Sequence, residues 1–131
     1  MPPLIDCDGD PYVPRGWTVA AHRRSGQLEW SPAAAARVLA AGRTEAGDGT
    51  PAPNANILDF LLAHPQHIPA DWKAAATGRG LYVFFAGTTY RNVGGRLSVR
   101  YLCWLGDRWG WMALWLGFDS CCFIPAVLRR G

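Results

Sequence analysis

The chain has almost no lysine. Lys73 is the only one among 131 residues, so the other twelve basic positions are arginines. Charge of either sign is scarce at 18%, against about a quarter in ordinary domains. A net charge of +3 is too small to imply a nucleic-acid partner by itself. With hydrophobic residues at 50%, disorder of the whole chain is excluded. A secretory leader is not visible: Met1 to Asp10 is acidic and has no apolar core segment. No apolar run reaches the ~18 residues of a membrane helix. The longest uncharged run near the end, Trp109 to Phe118, is broken by glycines and bounded by Arg108 and Asp119. The expectation is a soluble cytoplasmic protein.

Catalytic signatures are missing as well. There is no glycine-rich phosphate loop followed by lysine, no GxSxG elbow and no HExxH. Four cysteines are present, and none forms a CxxC pair, so zinc ligation lacks support. Cys103 falls in a strand, where cysteine acts as a small hydrophobe. Adjacent Cys121 and Cys122 are expected as reduced thiols. Asp119-Ser120-Cys121-Cys122 groups an acid, a hydroxyl and two thiols, but a nucleophile needs a base in reach, which sequence does not place. No catalytic residue, metal or cofactor is assigned on this basis, and an enzyme ranks below a binding protein.

What the chain does contain fits one domain, 1–131, able to bury roughly two thirds of its unfolded surface. Arginine suits planar recognition of phosphate, carboxylate or aromatic faces. A G+C-rich genome is the simpler account of the arginines, since it also explains the abundant Ala, Gly and Pro. Residues 1–14 read as an irregular arm. Asp6-Cys7-Asp8-Gly9-Asp10 begins like a calcium loop, but the required glycine and glutamate positions hold Pro11 and Trp17. Only a weak surface cation site stays open there. Thr18 can cap a short helix over Val19 to Arg24. His22, beside Arg23 and Arg24, is expected to be an exposed polar residue.

Ser31-Pro32 predicts a helix start, Ala33 to Ala41 its body and Gly42 its stop. Residues 43–53 form an internal loop. Asn54 or Asn56 caps a second helix, Ile57 to Ala63, apolar around most of its circumference except at Asp59. His64-Pro65 ends it. One further turn follows at Ile68 to Lys73. His64 and His67 have HxxH spacing with no third ligand in view.

The rest is organised around residues 81–116, a three-stranded antiparallel meander carrying four of the seven tryptophans. Gly106-Asp107 is a two-residue hairpin signal. Counting back from it sets Trp104 opposite Trp109, Leu102 opposite Trp111, Arg100 opposite Ala113 and Ser98 opposite Trp115. Alternation then splits the sheet into two faces. One carries Arg100 among Trp104, Trp109, Trp111 and Trp115. The other is aliphatic, with Val99, Tyr101, Cys103, Met112 and Leu114, and is expected to seat the second helix. The first strand adds Val83, Phe85 and Thr89 to the arginine face if the Asn92-to-Gly95 loop has four residues. A three- or five-residue loop substitutes Tyr82, Phe84 and Tyr90.

Three readings of the tryptophan–arginine face follow. A second layer covers it, with Trp17 or Trp30 packing there and Arg100 stacked on indole rings. Alternatively it is a binding platform for single-stranded nucleic acid or planar ligands. Or it is a homodimer seam. The leading expectation is a non-catalytic binding or protein-interaction module acting through Arg100, Trp104, Trp109, Trp111 and Trp115. Single-stranded nucleic acid is the alternative.

The segments Asn54 to Pro65, Ile68 to Lys73 and Gly87 to Trp115 resemble a group of short, uncharacterised bacterial proteins. The resemblance extends back to Pro14-Arg15-Gly16-Trp17-Thr18-Val19. It implies a bacterial origin and an α+β fold in which helices precede a sheet. It carries no activity, so no catalytic residue comes with it.

Overall fold

The computed structural model describes residues 2–43, 52–72 and 83–115. In chain order these form β1 (Leu4–Asp6), β2 (Thr18–His22), β3 (Gln27–Glu29), α1 (Pro32–Arg43), α2 (Ala55–Ala63), a 3-10 turn (Pro65–His67), β4 (Val83–Phe84), β5 (Thr88–Arg91), β6 (Leu97–Trp104) and β7 (Trp109–Trp115). The fold is mixed α+β with antiparallel sheets, a small β1–β3 pair and a five-stranded sheet. No helix among the described residues is long and apolar enough to cross a membrane.

β6 is the axis of the larger sheet. Its six inner residues are all buried, so both of its faces are covered. On one side it pairs with β7 in the register Trp104–Trp109, Leu102–Trp111, Arg100–Ala113 and Ser98–Trp115. The Gly106-Asp107 turn dictates this register. Leu105 N–H donates to the Arg108 carbonyl at 2.8 Å, and only Gly106 takes a positive φ, 101°. That is the pattern of a type II′ turn, which requires glycine first.

On its other side β6 pairs with both β5 and β4. Arg91 lies opposite Leu97, so the preceding loop has three residues closed by Asn92 and Arg96. This puts Tyr90 on the arginine face. Val83 lies opposite Leu102, and Phe85 N–H donates to the Arg100 carbonyl at 3.0 Å, which puts Val83 and Phe85 there too. The first strand is therefore broken, not continuous. Its register changes at Ala86-Gly87, where a Cβ on Gly87 would come within 2.8 Å of the Ala52 and Pro53 carbonyl oxygens. The chain leading into α2 crosses the sheet at that point.

Three strands precede the first helix, which corrects the expected order. The segment expected as helix Val19 to Arg24 is β2, paired with β5 and bulged between Val19 and Ala21. The physical reason is the open edge of β5. A helix of about six residues cannot recover its nucleation cost, whereas a strand beside β5 satisfies its backbone at once. Leu4–Asp6 is likewise strand, not irregular arm, because Ile5 pairs opposite Leu28 and is buried in the core.

Both helices start as their sequences dictate. The Ser31 hydroxyl accepts from Ala34 N–H at 3.2 Å, and Asn54 Oδ1 accepts from Asn56 N–H at 3.0 Å. Gly42 is not a stop; it lies inside α1 and is a close-approach residue. A Cβ there would sit 2.5 Å from Val83 Cγ1 and 3.1 Å from the Phe84 carbonyl oxygen. α1 rests on β4 through this gap.

The main core joins Ala34, Ala35 and Val38 of α1, Ile57, Leu58 and Leu61 of α2, and Trp30, Ile68 and Trp72 to Val83, Phe85 and Leu102. The helices thus cover the arginine face, not the aliphatic one expected to seat them. Helix polarity alone does not choose between two apolar sheet faces. Here Asp59 of α2 has its partner on only one of them. The opposite face gathers Phe84, Val99, Tyr101 and Cys103 in a second cluster. The 44–51 loop and the Asp119–Cys122 group lie outside the described residues.

Candidate functional site

Arg100 sits at the middle of β6 with 1% of its surface exposed. A guanidinium cannot shed its charge there, so the fold must supply a counter-charge. Asp59 does so from α2 through a two-pronged pair: Nη1 donates to Oδ2 at 3.0 Å and Nη2 to Oδ1 at 2.8 Å. Burial pulls the Arg100 pKa down, but the Asp59 carboxylate outweighs it and holds the group above its ordinary value. The pair is lopsided, since the Asp59 side chain is 32% exposed. Arg100 Nε is buried with no partner among the described residues.

Aromatic rings enclose the pair. Arg100 Cζ lies 4.2 Å from the Trp111 ring centre and 5.1 Å from that of Tyr12. Trp17 meets Trp111 edge-on at 6.0 Å and Tyr90 at 5.5 Å. The Tyr90 hydroxyl donates to the Tyr12 carbonyl at 2.8 Å and accepts a long contact from Arg100 Nη1 at 3.5 Å. Burial raises the Tyr90 pKa, against the opposing pull of Arg100. Toward the hairpin, Trp104 and Trp109 form a second edge-on pair at 5.3 Å.

Of the five residues predicted to form the site, Arg100 is sealed, and Trp104, Trp109 and Trp111 are half-buried against the core. Trp115 is placed by register opposite Ser98, and its side chain is outside the description. Tyr12, Trp17, Tyr90 and Asp59 join the group from elsewhere. Asp59 had a visible signal: it is the one charged residue in an otherwise apolar helix. Tyr12 had none, because its place depends on how the arm crosses the sheet.

Other candidates are engaged in structure. His22 Nε2–H donates to the Gly9 carbonyl at 3.0 Å, because a carbonyl can only accept. In the neutral ring Nδ1 then accepts from the Thr88 hydroxyl at 2.8 Å, and that oxygen accepts from Ala55 N–H at 2.8 Å. His64 and His67 pack against Phe60, at 5.0 and 5.7 Å between ring centres. In the acidic arm, Asp6 Oδ1 accepts from Asp8 N–H and Gln27 Nε2, Asp8 Oδ1 accepts from Gly26 N–H, and Asp10 pairs with Arg24. Among the described residues no group of three or more His, Cys, Asp or Glu is placed to hold a metal. Burial raises the pKa of both Cys7 and Cys103, so neither is primed as a thiolate.

Comparison with family models, with curated proteins and with solved structures finds no match to this chain.

Proposed function

We propose that the protein is a non-catalytic interaction module, and that a protein partner docks on the aromatic end of the arginine face. The observation that carries this is the state of three rings. Tyr12 is 52% exposed, and Trp17 and Trp111 are half-buried, while the Arg100 guanidinium beneath them is sealed. Trp17 and Trp111, held edge-on to each other, offer contact area at little entropic cost, as interface anchors do. Exposed Val13, Val19 and Val93 are candidates to extend the patch. Val93 lies beside the Trp17 turn, since a Cβ on Gly16 would meet its Cγ2 at 2.9 Å. β2 borders this area as an edge strand, the kind of edge that accepts an added strand.

The test is paired capture. Wild type and the double variant Trp17→Ala, Val19→Asp are used as bait, with Leu4→Asp as a surface control. A partner held by wild type and by the control, and bound about tenfold or more weaker by the double variant, supports the reading. Equal capture by all three, with unchanged melting temperatures, sinks it. Sedimentation of the purified protein tests whether that partner is a second copy of the chain.

Single-stranded nucleic acid is the second reading, favoured by Arg15, Arg91 and Arg96, all exposed in or beside the two loops that meet at Gly16 and Val93. Arg100 is committed to Asp59, so phosphate contacts would fall on those three. Retention on oligothymidylate that falls steeply with salt, and falls again in Arg15→Gln and Arg91→Gln, is the expected signature. Flow-through at low salt removes this reading.

A further inference from the structure

Three arginines with described side chains have no ion pair or hydrogen bond to their guanidinium among the described residues: Arg15, Arg23 and Arg37. Two of these, Arg23 and Arg37, line one cavity of about 280 Å³. It lies away from the aromatic end, between α1, the start of α2 and the chain just after β2. Ala34, Val38 and Ile57 give it a buried apolar floor, and Leu28 and Pro53 add to its walls. Ser25 adds a hydroxyl at the rim.

The two cations are held in place differently. Arg37 is carried on the α1 face defined by Ala34, Val38 and Ala41. The Arg23 backbone is pinned, because its N–H donates to the Gly87 carbonyl at 2.7 Å and its carbonyl accepts from Asn54 Nδ2 at 2.8 Å. Two like charges beside one apolar hollow repel each other, and nothing described answers them. An anion with a hydrocarbon body would complement both the cations and the floor. Its head takes the guanidiniums and its body takes the floor. The volume falls just below the range for drug-sized ligands, which starts at about 300 Å³, so the body must be short.

We propose that this cavity binds a small carboxylate with a short apolar body. The reading is independent of the interaction surface, since none of its residues lies there. Octanoate is the probe, titrated into the intact protein by calorimetry and by amide chemical shifts. Saturable binding is expected, with shifts at Arg23, Ser25, Val38 and Ile57. Arg23→Gln and Arg37→Gln should each weaken it roughly ten- to a hundredfold, the range for a charge-assisted hydrogen bond. Both side chains are exposed, so melting temperatures should hold. Ala41→Leu, which fills the hollow from α1, should abolish binding while the arginines stay.

Octanol, octylammonium and acetate are the controls, and each should bind at least tenfold more weakly. Four outcomes overturn the proposal. These are no saturation with octanoate, equal binding of octanol or octylammonium, equal binding of acetate, or binding indifferent to both glutamine variants. Loss of capture in the Trp17 and Val19 double variant leaves octanoate binding unchanged, so the two readings fail separately.

Discussion

Arg100 and Asp59 are unequal partners, and that inequality can be measured. Removing Asp59 leaves a cation in a site with 1% exposure, whereas removing Arg100 leaves a carboxylate that still touches water. Breaking a buried pair from its exposed side should therefore cost more. Asp59→Ala is expected to lose about 3–5 kcal/mol and Arg100→Met about 1–3 kcal/mol, read from urea midpoints. Equal losses would mean that water reaches the guanidinium. Tyr90 gives a second test at this scale. Its raised pKa means the folded state favours the neutral phenol. Stability is then full below the ordinary value of 10.0 and is lost as pH climbs through the folded value. Absorbance of phenolate should show one of the four tyrosines ionising only as the protein unfolds, and Tyr90→Phe should remove that late step. At this scale the sequence exposed Arg100 as the odd residue in its strand and Asp59 as the odd residue in its helix. It did not join them, because the two lie 41 positions apart and either sheet face could have received α2.

Single elements were legible where a short-range rule decided them. Ser31-Pro32 and Asn54 are local hydrogen-bond devices, and Gly106-Asp107 is a two-residue turn, so two helix starts and the β6–β7 register follow without tertiary knowledge. β2 was not legible, because its partner is a remote strand edge. Gly42 misled for the same kind of reason. A glycine late in a helix reads as a stop, yet this one is fixed by Val83 across the core. Gly42→Ala weighs two effects against each other. Alanine favours the helix by about 1 kcal/mol. A Cβ 2.5 Å from Val83 Cγ1, with Phe84 backbone atoms at 3.1 and 3.2 Å, costs about 1–3 kcal/mol because backbone cannot rotate away. Net destabilisation of about 0–2 kcal/mol is expected by chemical denaturation, and a stabilised variant would refute the packing of α1 on β4. Asn54→Ala should do more harm than loss of a cap. Its amide also holds the Cys7 and Arg23 carbonyls at 3.0 and 2.8 Å, so three buried or half-buried groups lose partners. A loss of about 3 kcal/mol or more is expected from the same measurement.

Across the whole molecule, protection should be graded from β6 outward. β6 is paired on both sides and buried on both faces, while β2 is an edge with its first four residues exposed. Hydrogen exchange should find the slowest amides in β6 and the fastest sheet amides in β2, with β5 between them. Uniform protection would mean that β2 and the central strands open as one unit. The remoteness of the partner of β2 has a further consequence, for the order of events on the ribosome. His22 must wait for Thr88, 66 residues later, before its Nδ1 contact or the ladder can form. At a synthesis rate of about 5–20 residues per second the delay is roughly 3–13 s. Throughout it Tyr12, Val13, Trp17 and Val19 have no sheet to lie on. The nascent chain is thus an apolar, aromatic-rich segment available to a chaperone before it is an edge strand.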